Sequence, residues 1–472
     1  MMPCHAWKKS APTCSKAARV LRLGSPSPMP RTSQAKIGAA GLAAITLAGL
    51  TTAWVLLVFT ALIAVGAAFS APAFQAIVPE LVPPKALQQA VALNSLGVNI
   101  ARAIGPALGG IIIAVSGPAA VFAVNALSVI GVITVLVRWR RTATERHLPA
   151  EHMVGAMRAG LRYAMRAPEL QVVLIRSVGF FLFASGLWAL LPIIARRDLG
   201  LGPAGYGGLL TFMGIGAIGG AMLMPRLRGR MGANMITLAA SILLAAAMAA
   251  LSLASSFWTA SAALFLAGLA WIAMMASLNG GAQATSPGWV KARALAIYLL
   301  VFQGSMAGGS ALWGSVASRI GVPSTLLAAA ALLIVAAIIL VWRYPLDRAS
   351  TLDLAPSAHW PAPLVDGIVE HDSGPVLVTI EYRIDPAKVP DFFAAMQAMR
   401  RIRRRDGAIH WGVYEDTSVP GTVIESFTVE SWLEHLRQHD RVTNADRVQQ
   451  EALRAFQTDD RLPVVRHFVT RR

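Results

Sequence analysis

Polar side chains lie inside the apolar stretch 87–118, where they could line a path for a polar molecule. Asn94, Asn99 and Arg102 fall within an arc of about 140° on a helix that turns about 100° per residue. A cation near the middle of such a span is costly unless it faces a bundle interior or a wet cavity, so Arg102 indicates a polar pathway. The alternative is an arginine satisfied by neighbouring carbonyls.

Four further polar residues in apolar stretches extend this candidate pathway: Gln75, Arg176, Asn279 and Gln303. A shift of about 204 residues along the chain places Gln75 on Asn279, as in an internal repeat. Amides at this depth can bind a passing molecule by hydrogen bonds, and hydrogen bonding between helices is an equal alternative. Arg102 and Arg176 could hold an anion, or could be paired structurally. Six aromatic residues could stack on an aromatic molecule but are expected mostly in the core or facing lipid: Phe180, Phe181, Trp188, Trp271, Phe302 and Trp313.

The composition predicts a membrane protein, because 55% of the 472 residues are apolar and 14% are charged. Segments rich in Pro, Gly or Arg divide the apolar part into about ten candidate spans, each long enough for a bilayer of about 30 Å. The predicted spans are 37–53, 54–76, 89–115, 118–138, 170–194, 205–225, 232–254, 258–282, 294–317 and 323–342.

The distribution of charge predicts the orientation of these spans. Lys and Arg concentrate in alternate loops, so a multi-pass protein of the plasma (inner) membrane with both termini cytoplasmic is expected. The formal net charge of +18 belongs mainly to the membrane part and its N-terminal arm, and therefore indicates topology rather than nucleic-acid binding. Cys4 and Cys14 form no disulfide framework or zinc spacing, and no cofactor is expected.

The changes in composition divide the chain into six parts. We predict a basic disordered arm (1–36), a partial N-terminal transmembrane half (37–138), a cytoplasmic connector with a helical patch near 153–166 (139–169), a C-terminal six-helix transmembrane half (170–343), a linker (344–374) and a cytoplasmic domain (375–472).

The C-terminal segment shows the strand and helix order β-α-β-β-α-β, with a broken second helix, which is typical of a ferredoxin-like α+β domain. His435 and His439 are four residues apart on that helix. Neither a Cys partner nor a Glu-x-x-His pattern accompanies them, so a solvated helix face is expected rather than a metal site. No set of catalytic residues is recognisable in this segment.

Three stretches together resemble the major facilitator superfamily, in the branch of transmembrane secretion effectors and enterobactin-exporter-like proteins. They are FSAPAFQAIVPELVPPKALQQAVALNSLGVNIARAIGPALGG, LWALLPIIARRDLGLGPAGYGGLL with GIGAIGG, and VKARALAIYLLVFQGSMAGGSALWG. Gly105, Pro106, Gly109 and Gly110 match the antiporter-type glycine-proline motif of exporters. Residues 375–472 resemble the antibiotic-biosynthesis-monooxygenase-like α/β barrels, and a homodimer through this domain is one arrangement that the resemblance allows.

The resemblance implies twelve spans in two halves of six, no enzymatic activity, and proton-driven export of small amphipathic molecules. The chain departs from this pattern because the first two helices are not found in it. A transport-dead scaffold is therefore one alternative function, and a cofactor-free monooxygenase in the tail is another. The proton carrier is expected in the missing helices, with Glu80 and Glu169 at helix ends as the alternative. The acids between residues 37 and 343 all lie at span ends or in loops, and they are Glu80, Glu145, Glu151, Glu169 and Asp198.

Overall fold

The structure is a computed structural model of the chain. It describes most of the second half of the sequence and parts of the first: residues 117–138, 153–347, most of 353–365, 369–458, 463–470 and isolated positions between 45 and 116.

Two compact units are distinguished in the chain. The first comprises residues 1–91 and 112–142, and its longest described element is helix α1 (Pro118–Arg138), with the bounds predicted for the fourth span. The predicted spans 37–53, 54–76 and 89–115 lie outside the described residues, apart from isolated positions. The second unit comprises residues 92–111 and 143–472.

Six helices of the second unit are long and apolar enough to cross a membrane, among the residues that the structure describes. Each corresponds to one of the six predicted spans from 170–194 onward, with ends that differ by a few residues. A π-helical turn (Ile194–Asp198) extends the first of them. The helices are α3 (Pro168–Ile193), α4 (Pro203–Arg228), α5 (Ala233–Ser252), α6 (Phe257–Ala284), α7 (Lys291–Ile320) and α8 (Val322–Arg343).

A shorter helix, α2 (Met153–Arg166), precedes the spans, as the helical patch near 153–166 predicts. It is followed by Ala167, whose extended backbone (φ −94°, ψ 102°) is the conformation favoured before a proline. Pro168 then begins α3. Between α7 and α8 the chain turns at Gly321, whose φ of +82° lies in the left-handed region.

Glycines bring the helices of this bundle into close backbone contact. A Cβ atom on Gly216 of α4 would collide with the carbonyl oxygen of Phe265 on α6, and one on Gly268 of α6 would collide with that of Met213 on α4. Small residues have this role in membranes because helix association there depends on van der Waals contact rather than on the hydrophobic effect. Glycine is therefore required at both positions.

The C-terminal segment folds into a four-stranded antiparallel sheet with helices on one face. The strand order in the sheet is β2-β3-β1-β4. The predicted broken helix is two helices, each capped by a hydroxyl: Ser431 accepts from the Glu434 amide, and Thr443 forms a capping box with Asp446. The elements are β1 (Val376–Arg383), α9 (Val389–Asp406), β2 (His410–Glu415), β3 (Thr422–Val429), α10 (Trp432–Arg441), α11 (Asn444–Arg454) and β4 (Val464–Val469).

We predict that Gly268→Ala lowers the thermal stability of the detergent-purified protein, because the new methyl group must push the α4 backbone away. Overpacking of this kind costs about 1–3 kcal/mol. Gly304→Ala on α7 is the control, since a Cβ there has no neighbour within 4 Å. Equal melting temperatures for the two variants would contradict the close contact of α4 with α6.

Candidate functional site

Arg176 is a buried cation inside the six-helix bundle. Its side chain on α3 is 5% exposed, and its Nη2 donates a hydrogen bond to Oγ1 of Thr237 on α5. Its Nη1 is buried without a hydrogen-bond partner among the described residues. The sequence offered two roles for Arg176, contact with an anion or structural pairing, and the contact with an anion stays a prediction.

A small cavity beside Arg176 is lined by polar groups on one side and apolar ones on the other. Thr237 and Ser241 of α5 contribute hydroxyl groups, while Met274, Leu333 and Leu340 contribute apolar surface. Its volume is about 10 Å³, which leaves room for about one water molecule. The cavity is therefore too small for a drug-sized molecule in this conformation.

The two predicted amides of the second half both lie on the surface of the bundle. Asn279 on α6 is exposed, and its Oδ1 accepts a hydrogen bond from Nε2 of Gln283 at 3.2 Å. Gln303 on α7 is also exposed, in a helix whose most apolar part is largely unburied. Exposed amides on apolar helices are available to a ligand or to another helix.

The predicted aromatic residues form a cluster that joins α3, α6 and α7. Phe181 contacts Trp271 and Phe302, with ring centroids 5.7 and 4.4 Å away, and Trp188 contacts Trp271 at 5.4 Å. Phe180, Phe181, Trp271 and Trp313 are buried, as the expectation of core positions requires. Trp188 and Phe302 are half-buried at the edge of this cluster.

The remaining candidates belong to the part of the chain that is not described. They are Gln75, Asn94, Asn99, Arg102, Pro106 and Gly110. Gly105 and Gly109 of the glycine-proline motif are described, and both are helical with no neighbour within 4 Å of an added Cβ.

An ion-pair network that the sequence analysis missed joins the C-terminal domain to helix α2. Nη2 of Arg162 on α2 lies 3.1 Å from Oε1 of Glu434 on α10, and Nε of Arg162 donates to the carbonyl oxygen of Arg405 at 3.2 Å. Glu434 also pairs with Arg441 at 2.6 Å. The side chains of Arg162 and Glu434 are 23% and 16% exposed, so solvent screens this contact only partly.

Two arginines of the same network stack on aromatic rings outside the membrane spans. The guanidinium of Arg441 lies 4.7 Å from the ring of Trp289, in the loop between α6 and α7, and that of Arg405 lies 5.9 Å from the ring of Tyr163 on α2. The Tyr163 and Trp289 rings are in edge contact at 5.7 Å. Cation–π contacts thus add to the ion pairs.

On α10, His435 is buried and His439 is half-buried, so the expectation of a solvated face is wrong for His435. This residue is 2% exposed, and its Nε2 lies 3.3 Å from Nε2 of His439. The ring of His467 on β4 stacks 4.7 Å away. Burial lowers the pKa of His435 to about 3 and that of His439 to about 4, with neighbouring histidines adding to the shift. The face is covered because α10 packs against the sheet.

These histidines do not form a metal centre as they stand. Within the described ranges, no group of three or more His, Cys, Asp or Glu side chains is arranged to hold a metal ion. The main polar network of the domain centres instead on Glu425, which accepts hydrogen bonds from Arg403 at 2.9 and 3.1 Å, Trp411 at 2.9 Å and Tyr382 at 3.2 Å. Such a satisfied network stabilises a fold.

The sequence matches the transmembrane secretion effector family of the major facilitator superfamily over residues 32–472. The chain belongs to this family. It is therefore a multi-pass membrane protein and a secondary transporter of the major facilitator type, a class that is not typically enzymatic. No curated protein matches the sequence.

Solved structures of other transporters share the fold. A POT family transporter in complex with 5-aminolevulinic acid has a TM-score of 0.52 and 12% identity, over 67% of this chain and 82% of that one. A mutant of the peptide transporter POT has the same TM-score and 14% identity, over 68% and 81%. The E. coli fucose:proton symporter is similar at a TM-score of 0.46 and 16% identity, over 66% and 82%. For the two POT structures, at these identities, the likeness concerns the fold alone.

We predict that Thr237→Val destabilises the transporter, because the guanidinium of Arg176 loses the oxygen that accepts from Nη2. Loss of a hydrogen bond to a charged group costs about 1.5–3 kcal/mol. Thr211→Val is the matched control, since the Thr211 hydroxyl donates only to the Gly207 carbonyl of its own helix. Melting temperatures in detergent measure the difference, and an equal fall for both variants would refute a specific role for the Arg176 contact.

We predict that the C-terminal domain loses stability as the pH falls below about 6.5. The depressed pKa of His435 means that the unfolded chain binds a proton that the folded domain does not, so stability is full above pH 6.5 and decreases toward pH 3. At pH 5 this single group costs about 2 kcal/mol. Resistance of residues 375–472 to trypsin in the full chain, measured from pH 7.5 to 5, reports the change.

His435→Leu should reduce this dependence on pH, whereas His410→Leu should not, because His410 is exposed on strand β2. The same pH dependence in the wild type and in His435→Leu would show that another group is responsible.

Proposed function

We propose that the protein exports small amphipathic molecules, of siderophore-like or drug-like chemistry, by alternating access driven by the proton gradient. The observation that carries this proposal is the pair of exposed amides, Asn279 and Gln303, on helices that are otherwise apolar. Trp188 and Phe302 of the same bundle are half-buried and offer aromatic surface. Nε1 of Trp188 has no hydrogen-bond partner among the described residues. Aromatic surface with a few polar groups suits amphipathic ligands.

The proton carrier of this proposal lies outside the six described spans. Their acidic residues are at span ends only, where Glu169 is in the first turn of α3 and Asp198 closes the π-helical turn. A carboxylate that changes its exposure to water during the cycle is the usual carrier in such transporters. The remaining candidate pathway residues, Asn94, Asn99, Arg102 and Gln75, belong to this proposal as substrate contacts.

We place the protein in the plasma (inner) membrane with both termini cytoplasmic. Arg226 and Arg228 end α4, and Arg343 ends α8, as expected of cytoplasmic loops. Trp342 in the last turn of α8 and Trp258 in the first turn of α6 are 84% and 71% exposed. Tryptophans of this kind are typical of the two membrane interfaces.

The C-terminal segment is, in this proposal, a ferredoxin-like domain similar to the monooxygenase-like α/β barrels, and it pairs into a homodimer. The element order and the sheet order β2-β3-β1-β4 support the fold assignment. The sheet face without helices carries the exposed apolar side chains of Leu377, Tyr414 and Phe468, which support pairing. Glu381 and Arg466 on the same face add opposite charges 3.7 Å apart.

The proposed transport can be tested in everted membrane vesicles. We expect respiring vesicles that contain the protein to accumulate ethidium or a catecholate siderophore, and a protonophore to abolish this uptake. Gln303→Ala should lower uptake severalfold, whereas Leu300→Ala, at another exposed position on α7, should not. Uptake equal to that of empty vesicles would favour the transport-dead alternative. Oxygen consumption by the tail would favour the monooxygenase.

A further inference from the structure

Helix α2 is the last part of the segment that connects the helices of the two units along the chain. It follows residues 139–152 and runs into the first span of the bundle at Pro168, with Ala167 as the single intervening residue. Any relative motion of the two transporter halves must pass through this connection. The contacts that hold α2 therefore decide which part of the connector can follow the motion.

One face of α2 is fixed to the membrane bundle. The hydroxyl of Tyr163 donates to the carbonyl oxygen of Thr285 at 2.6 Å, at the end of α6. Gly160 lies so close to the side chain of Arg293 on α7 that a Cβ atom would be 2.8 Å from it. Ala159, Tyr163 and Ala164 are buried in this contact.

The basic face of α2 is fixed to the C-terminal domain. Glu434 is the centre of this contact, because its carboxylate binds Arg162 of α2 and Arg441 of α10. Arg441 in turn covers the ring of Trp289 between α6 and α7. The Glu434 carboxylate thus binds α2 directly through Arg162. It contacts the loop between α6 and α7 indirectly, through Arg441 and Trp289.

Partial burial makes this contact stronger than an ordinary surface ion pair. Arg441 is 3% exposed and also donates to the carbonyl oxygen of Asp406 at 3.0 Å. Arg405 is held by Asp406 and Asp446 at 2.8 and 2.7 Å. Charge-assisted bonds shielded from water are about twice as strong as neutral ones. The domain, α2 and the loop between α6 and α7 consequently form one block.

We propose that Glu434 is a positioning residue for transport and that the C-terminal domain is a brace, which stays docked on α2 throughout the transport cycle. The docking itself rests on the contacts above, whereas its part in the cycle rests on the proposed transport function.

Hydrogen–deuterium exchange on the full chain in detergent tests the docking without any substrate. Glu434→Gln should raise exchange in residues 153–166 and 432–441 by roughly tenfold, because the charge-assisted bonds to both arginines weaken. Glu430→Gln is the matched control, since the one ion pair of Glu430 among the described residues is with the exposed Arg158 at 3.9 Å. Arg162→Met is a second variant that leaves the pair of Glu434 with Arg441 intact and should loosen 153–166 alone.

Glu434→Asp should restore most of the protection, as it keeps the charge. Unchanged exchange in Glu434→Gln and Arg162→Met would overturn the brace, and so would an equal effect of Glu430→Gln.

A cross-link tests whether the domain stays docked during transport. Arg158→Cys and Glu430→Cys, in a chain with Cys4→Ser and Cys14→Ser, place two exposed thiols across the contact for a flexible, reducible bifunctional reagent. The cross-linked transporter should accumulate ethidium in everted vesicles within about twofold of the reduced form. In the same assay, Glu434→Gln should lower the maximal rate with little change in the KM for ethidium.

Loss of uptake on cross-linking, with recovery on reduction, would overturn the proposal, because the domain would then have to undock. If the reduced form shows no uptake of ethidium at all, the proposed transport of this probe is wrong, and the exchange measurement still decides whether the brace exists.

Discussion

Close contact between helix backbones is the constraint on which the membrane bundle depends. Lipid chains are as apolar as leucine side chains, so burial of apolar surface gives little net attraction between helices. Gly216 and Gly268 solve this problem for α4 and α6, because each lies against a carbonyl of the other helix with no room for a side chain. The aromatic cluster around Phe181 and Trp271 then fills the wider space between α3, α6 and α7.

A different kind of interaction holds the elements together outside the membrane spans. Around α2 and the C-terminal domain, the contacts are ion pairs and cation–π stacks rather than close backbone approach. Charges can serve there because Arg162 and Glu434 keep part of their exposure to water within the contact, so the cost of desolvation is lower than for fully buried charges. The two parts of the protein are thus assembled by different interactions, each suited to its surroundings.

Much of the fold could be predicted from the sequence because its elements are set locally. The six spans follow from long apolar runs, and the strands of the C-terminal domain follow from alternation, as in 376–384. Arg176 could be predicted to lie within a span since it stands in such a run, but its burial follows from the packing of α3 in the bundle. The docking of the domain could not, because Arg162 and Glu434 are 272 residues apart and each looks like a solvated charge on its own helix.

His435 shows the same limit within a single helix. Its spacing from His439 indicates one helix face but not whether the face is covered, since that depends on the packing of α10 against β4. Tyr163 and Trp289 lie outside the spans and far apart along the chain, so the sequence does not show that their rings meet.

The two buried arginines, Arg403 and Arg176, show where the protein is rigid and where it can adjust. Arg403 of the C-terminal domain is held by both carboxylate oxygens of Glu425, which Tyr382 and Trp411 also contact, so every change in its position breaks several bonds. Arg176 of the bundle binds Thr237, and its Nη1 has no hydrogen-bond partner among the described residues, next to a cavity of water size. A water that enters there can supply the missing contact. The arginine with room to adjust therefore lies in the membrane bundle, and the fixed one lies in the C-terminal domain.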